Sequence, residues 1–127
     1  MKNRLIITIY GLILGTVVLA QDYPQPDSYY YLRGHEAMEE KKYEEAIEYF
    51  YNDIQENPKS GYSFSWIAYL QLQYEEYGKA LSAANSAIKY LPKKDVGYVY
   101  FAYNTRGNIY CEMGDTVKAM NDYTSAI

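Results

Sequence analysis

Apolar residues recur at steps of three and four along most of the chain, which is the spacing of one helix face. Ala46, Ile47, Phe50 and Ile54 show this spacing, and it returns between residues 80 and 88. Such spacing predicts amphipathic helices, and polar pairs and prolines separate the runs. The pattern predicts six helices, over residues 27–40, 44–57, 61–74, 77–90, 97–112 and 116–127.

An internal repeat organises these helices into pairs. When the chain is aligned with itself, Ala46 matches Ala80, and Ala80 in turn matches Ala119. A fixed period in the thirties is typical of solenoids built from two-helix units. Within 93–100 there is a five-residue insertion that either lengthens the loop or adds about a turn and a half to the fifth helix. We expect units over 27–60, 61–94 and 95–127, the last one incomplete.

Each unit carries aromatic and small residues at fixed positions. The third unit has Tyr103, Gly107 and Tyr110 in its first helix and Ala119 in its second. This arrangement resembles the tetratricopeptide repeat, with its pattern W-x2-L-G-x2-Y, A-x3-F and P. The resemblance covers about residues 27–127 and implies an all-α solenoid of antiparallel helix pairs. The signature positions are Tyr30, Gly34, Tyr43, Ala46, Phe50, Pro58, Phe64, Ala68, Tyr77, Ala80, Pro92, Tyr103, Gly107, Tyr110, Ala119 and Tyr123.

The N-terminal segment 1–20 has the pattern of a secretory signal peptide. Lys2 and Arg4 precede an apolar or small run over 5–20 that ends in Ala20, as basic and hydrophobic signal regions do. An uncleaved membrane anchor is the alternative, but sixteen residues fall short of the roughly 20 that span a bilayer. We therefore expect cleavage after Ala20, a linker over 21–26, and export to the periplasm or the extracellular space with no stable membrane span.

Charge and composition exclude several classes of protein. The chain of 127 residues is 49% hydrophobic and has a net charge of −4, so it is expected to fold. Loss of the two basic residues in 1–20 leaves 10 basic and 16 acidic residues. This acidic balance disfavours nucleic-acid binding, which depends on clustered lysine and arginine. A single cysteine cannot form an internal disulfide.

Catalytic chemistry has little support in the sequence. The single histidine, His35, and the single cysteine, Cys111, lie in the first and third units, and the sequence has no H-E-x-x-H, G-x-S-x-G, P-loop or C-x-x-C pattern. The glutamates between 36 and 48 are spread over three turns beside lysines, which indicates a solvated helix face rather than a cation site. We expect no enzyme activity, metal or cofactor. Cys111 is expected to be either a half-buried hydrophobe or a thiol that pairs with another cysteine.

The resemblance implies a concave groove lined by the first helix of each unit. Rings and amides in such a stripe suit a peptide or a partner helix, and the lysines and arginines with which some family members clamp a carboxylate are absent. We expect His35 to be exposed there, while packing between units is the alternative for Tyr62 and Tyr69. The groove positions are Tyr31, His35, Met38, Tyr62, Ser65, Tyr69, Leu72, Asn104, Asn108 and Cys111.

Together these features predict an exported protein-protein interaction scaffold. Two other functions stay open: a docking arm of an enzyme or signalling protein whose active domain lies beyond Ile127, and a glycan-binding module that stacks sugars on tyrosine. No polar capping helix follows the third unit, and terminal repeats need one to cover their apolar face. We therefore expect that the chain is a fragment and that it self-associates through this uncapped repeat.

Overall fold

The computed structural model describes residues 25–126, which form six α-helices and no strand. Every helix boundary lies within two residues of the boundary predicted from the apolar spacing. The predicted signal peptide, most of the linker over 21–26 and Ile127 lie outside the described residues. The helices are α1 Tyr29–Glu39, α2 Tyr43–Glu56, α3 Gly61–Gln73, α4 Tyr77–Tyr90, α5 Val96–Glu112 and α6 Thr116–Ala126.

Helices that are neighbours in the chain pack against each other throughout the described part. The contacts join α1 to α2, α3 to α4 and α5 to α6, and they also join α2 to α3, α4 to α5 and α3 to α5. Such an order, in which each helix contacts its neighbours, is compatible with a helical repeat. The predicted all-α class is therefore confirmed.

The turn inside each helix pair has the same hydrogen bonds. After α1, the backbone N–H of Lys42 donates to the carbonyl of Ala37 at 2.8 Å, and the N–H of Lys41 donates to the carbonyl of Met38 at 3.1 Å. These two bonds define a Schellman turn, which satisfies carbonyls at a helix end. The turns after α3 and α5 repeat both bonds, from Glu76 to Gln71, Glu75 to Leu72, Asp115 to Tyr110 and Gly114 to Cys111.

These turns require a left-handed backbone conformation at one residue each. The φ angle is 62° at Lys41, 59° at Glu75 and 85° at Gly114. Only glycine adopts this region without a penalty from its Cβ atom. The first two turns are therefore strained at Lys41 and Glu75, whereas the third carries the favoured residue.

Close approach of paired helices depends on glycine in α1 and α5. A Cβ atom on Gly34 would lie 2.6 Å from Cε1 of Phe50 in α2. A Cβ atom on Gly107 would lie 2.6 Å from Cε1 of Tyr123 in α6. A Cβ atom at these distances would overlap the ring, so each glycine lets a ring of the paired helix approach its backbone closely.

The insertion before the third unit mainly lengthens a helix. Helix α5 has 17 residues where α3 has 13, and the loop over 91–95 is one residue longer than the loop over 57–60. The extra turn is therefore 96–99, at the N-terminus of α5. Asp95 begins this turn as the N-cap, and its carboxylate accepts a hydrogen bond from the backbone N–H of Tyr98.

Candidate functional site

The predicted groove residues divide into a buried set and an accessible set. Tyr31, His35, Tyr62 and Ser65 are buried, with between 1% and 7% of their surface exposed. The expected exposure of His35 is therefore wrong, and Tyr62 packs between units, as the alternative reading allowed. The accessible residues are half-buried or exposed and are here named the open stripe: Met38, Tyr69, Leu72, Asn104, Asn108 and Cys111.

An aromatic cluster fills the space that was predicted to be the first part of the groove. The ring of His35 lies 4.6 Å from Tyr31 and 5.2 Å from Trp66, and Trp66 lies 5.1 Å from Phe101 (ring centroids). The two contacts of His35 are edge-to-face, and contacts of that kind add about 0.5–1.5 kcal/mol each to the burial of area. The cluster spans all three predicted units and consists of Tyr31, His35, Phe50, Tyr62, Trp66, Tyr98 and Phe101.

Tyr98 ties the cluster together through its hydroxyl. Trp66 Nε1 donates to the Tyr98 hydroxyl at 3.1 Å, and that hydroxyl also bonds to the hydroxyl of Tyr31 at 3.0 Å. Beside them the hydroxyl of Tyr62 donates to Asp95 Oδ2 at 2.8 Å. Burial raises the pKa of Tyr98 to about 12, so this hydroxyl stays protonated at neutral pH.

The repeat pattern did not predict this network, because Tyr98 lies in the inserted turn. The insertion was expected either to lengthen the loop or to extend the fifth helix, and no contact was assigned to its residues. Instead, the extra turn of α5 lets Tyr98 reach Tyr31 in α1, 67 residues earlier. The sequence did contain one signal, since the inserted residues 96–99 include an aromatic residue with no counterpart in the other units.

His35 is buried without a hydrogen-bond partner on either ring nitrogen. Desolvation lowers its pKa from 6.5 to about 4, so the ring is neutral at pH 7. Rings of Tyr31, Phe50 and Trp66 surround it, whereas Cys111 is exposed. This geometry does not bring His35 and Cys111 together as a nucleophile and a base, and it contradicts the half-buried environment considered for Cys111.

Accessibility along the predicted groove increases from α1 to α5. At one repeat position His35 is buried, Tyr69 is half-buried and Asn108 is exposed. One helical turn further on, Met38 and Leu72 are half-buried and Cys111 is exposed. The cluster closes over the α1 end because the rings of Phe50 and Trp66 pack on His35, so the accessible surface is centred on α3 and α5.

The open stripe presents apolar, aromatic and amide groups. The Tyr69 ring contacts the edge of the cluster, with its centroid 6.1 Å from Trp66 and 5.6 Å from Phe101. Asn108 Oδ1 accepts a hydrogen bond of 2.5 Å from the Tyr123 hydroxyl. That bond ties the amide oxygen of Asn108 to α6.

A second polar centre lies away from the stripe, at Asp53. This carboxylate is 1% exposed and accepts hydrogen bonds from Ser28 Oγ and Ser63 Oγ at 2.5 Å and from Asn57 Nδ2 at 2.9 Å. Three donors thus satisfy the two buried side-chain oxygens of Asp53. Asp53 therefore joins the segment before α1 to the start of α3, below a cleft of about 590 Å³.

Neither a metal site nor a membrane-crossing helix is found among residues 25–126. No group of three or more His, Cys, Asp or Glu residues in that range could hold a metal ion. None of the helices in that range combines the length and the apolar character that a bilayer crossing requires. The acidic run was predicted to be a solvated face, and Glu44, Glu45 and Glu48 within it are exposed.

Comparison with known proteins gives no relative: no protein-family model matches the chain, and no curated protein is significantly similar to it. What can be said of its function therefore depends on its internal repeat and on the geometry of its surface.

Proposed function

We propose that this chain is an exported helical-repeat protein of the tetratricopeptide type that binds an extended peptide or a partner helix along the open stripe. Binding is its whole role in this proposal, and the chain performs no chemistry itself. The basic start and apolar run over 1–20 support export through the secretory pathway. The destination is the periplasm or the extracellular space.

The repeated turns support the assignment to this type of repeat. Three Schellman turns with the same pair of hydrogen bonds recur in register with the sequence repeat, ending at Lys42, Glu76 and Asp115. Gly34 and Gly107 occupy the same position in their units and make the same close contact with a ring. A solenoid of antiparallel helix pairs accounts for both recurrences.

The observation that carries the binding proposal is the accessibility of Tyr69, Leu72 and Asn108 beside a rigid aromatic cluster. Tyr69 and Leu72 are held on α3 and Asn108 on α5, so a ligand meets groups that are already positioned. Fixed rings bury area at a low entropic cost, and amides can pair with a peptide backbone. The open stripe contains no lysine or arginine, so an apolar side chain suits it better than a terminal carboxylate.

Selection from a displayed library of random peptides tests the proposal. The affinity of a selected peptide can be measured by the fluorescence of Trp66, which contacts Tyr69. We expect Leu72→Ala and Asn108→Ala each to weaken binding about tenfold, which corresponds to about 1.4 kcal/mol. Tyr43→Ala is the matched control, because Tyr43 is an exposed aromatic residue on α2, outside the stripe.

Two outcomes would contradict the proposal. If the Tyr43→Ala variant loses as much affinity as the Leu72→Ala variant, the peptide binds elsewhere. If no peptide is selected and a glycan array gives ligands whose binding is lost in Tyr69→Ala, the chain is a glycan-binding module instead. Because Tyr31 and Tyr62 are buried, Tyr69 is the one tyrosine in the open stripe. A single tyrosine gives less support to glycan binding, which would stack sugars on several rings.

A further inference from the structure

His35 lies where the first helix pair meets α3, and its buried ring has no polar partner. The side chain is 2% exposed, and neither Nδ1 nor Nε2 has a hydrogen-bond partner. Buried polar atoms in native proteins are nearly always paired. The closed fold therefore holds this imidazole in an unfavourable environment even while the ring is neutral.

The surroundings of His35 offer nothing that would accept a proton's charge. Its ring contacts come from Tyr31 in α1, Phe50 in α2 and Trp66 in α3. Of these three only Tyr31 titrates, and burial raises the pKa of its hydroxyl well above 10. Burial is also the one cause that lowers the pKa of His35, so no charged group in the described part of the chain compensates an imidazolium there.

The first helix meets α3 through rings. The ring centroids of His35 and Trp66 are 5.2 Å apart, and those of Tyr31 and Tyr62 are 6.4 Å apart. We name these two contacts the α1–α3 joint. Among residues 25–126 the closely packed helix pairs include α3 with α5 but not α1 with α3. Loss of one ring contact therefore weakens the α1–α3 joint more than it weakens the packing of α3 on α5.

Acid favours the open form of this joint. The pKa of His35 is about 4 in the closed joint and 6.5 in water, so an open joint binds a proton more tightly than a closed one. The ratio of open to closed molecules therefore rises about 30-fold by pH 5 and about 150-fold by pH 4, relative to a pH well above 6.5.

We propose that His35 makes the α1–α3 joint an acid-operated switch: when the imidazole takes up a proton, its ring leaves Trp66 and water enters the joint, while α3 to α6 stay packed. Because Trp66 also contacts Tyr69, opening removes support from one residue of the open stripe. The switch itself does not depend on the proposed peptide binding.

Four carboxylates near the joint are the alternative acid sensors, because carboxylates also take up protons in acid. Glu36 and Glu39 follow His35 in α1 and are half-buried. Asp53 and Asp95 are each 1% exposed and accept hydrogen bonds from side chains of α3. A test of the switch must therefore separate the imidazole from these carboxylates.

Fluorescence of Trp66, the single tryptophan of the chain, reports directly on the joint. Quenching of this fluorescence by acrylamide is measured on the full chain between pH 7.5 and pH 4, with circular dichroism of the same samples. We expect quenching in the parent chain to increase as the pH falls from about 6.5 toward 4, at pH values where the helical signal is retained.

Variants identify the sensor. His35→Phe keeps a ring in the joint and His35→Leu keeps an apolar side chain, and neither can take up a proton. In both variants Trp66 should stay protected until the helical signal is itself lost. Asp53→Asn and Asp95→Asn should respond to acid as the parent chain does. Circular dichroism spectra at pH 7.5 establish that each variant is folded.

Three results would overturn the proposal. Trp66 of the parent chain could stay protected at every pH at which the helices persist, which would mean that the surrounding rings hold the imidazolium in place. Quenching could increase at the same pH in the parent chain and in both His35 variants. The response could disappear in Asp53→Asn or Asp95→Asn, which would make a carboxylate the sensor.

Discussion

The buried imidazole of His35 predicts a specific loss of stability in acid. Its pKa is lowered from 6.5 to about 4 by desolvation, so the unfolded chain takes up a proton before the folded chain does. Stability is therefore fully present above the unfolded pKa and is lost as the pH falls from about 6.5 to about 4. At about 1.4 kcal/mol per pKa unit, the loss is on the order of 3 kcal/mol.

Urea unfolding followed by circular dichroism measures this loss, with His35→Phe as the reference. Phenylalanine keeps a ring among Tyr31, Phe50 and Trp66 but cannot take up a proton. Carboxylates titrate in the same range, so the informative quantity is the difference in free energy of unfolding between the parent chain and the variant at each pH.

We expect that difference to change by about 3 kcal/mol between pH 7.5 and pH 4, in favour of the variant. At pH 7.5 the variant should already be as stable as the parent chain or more stable, because it removes two buried nitrogens that have no hydrogen-bond partner. Parallel stability curves over this range would show that His35 is accessible to water, and the reasoning from burial would then be wrong.

Three further predictions concern stability and are tested by the same urea titrations. Lys41→Gly should stabilise the fold by up to about 1 kcal/mol, since glycine removes the strain of the left-handed conformation. Gly114→Ala should destabilise the fold, because it introduces that strain. Gly34→Ala should cost about 1–3 kcal/mol, because its Cβ would meet the Phe50 ring. Tyr98→Phe should cost about 1–3 kcal/mol, because Trp66 Nε1 loses its acceptor.

Matched variants show what would contradict these three predictions. Gly78→Ala should be neutral or stabilising, since nothing lies within 4 Å of an added Cβ there; equal losses at Gly34 and Gly78 would exclude a steric cause. Tyr29→Phe should be neutral because Tyr29 is 66% exposed. If Tyr29→Phe loses as much stability as Tyr98→Phe, the hydroxyl network does not contribute to stability. If Lys41→Gly destabilises the fold, the turn is not strained at Lys41.

The helices were predictable from the sequence because their determinants are local. Apolar spacing and the turn pairs, such as Lys41-Lys42, place every helix end to within two residues. The close approach at Gly34 was also predictable, because a small residue opposite a ring recurs in the repeat. Local patterns of this kind do not depend on how the units are arranged in space.

Burial of the groove residues could not be predicted in the same way. Whether His35 faces water depends on Trp66, which comes from the next unit. It also depends on the extra turn at 96–99, which carries Tyr98 back to Tyr31. The repeat pattern treats each unit as equal, so it assigned the same accessibility to positions that the insertion makes different.

Buried acids were missed for a related reason. Asp122 is 4% exposed and accepts hydrogen bonds of 2.8 and 2.6 Å from Arg106 Nε and Nη2. A charged residue in an amphipathic helix is ordinarily expected to face water. Only the packing of α5 on α6 brings its arginine partner within reach.

Mapping a selected peptide onto the chain by nuclear magnetic resonance tests the central claim most directly. The account predicts chemical-shift changes concentrated at Tyr69, Leu72, Asn104 and Asn108, with the exposed residues Tyr43 and Tyr74 unaffected. Shift changes confined to Tyr43, Tyr74 and the neighbouring acidic run, with the open stripe unchanged, would contradict it.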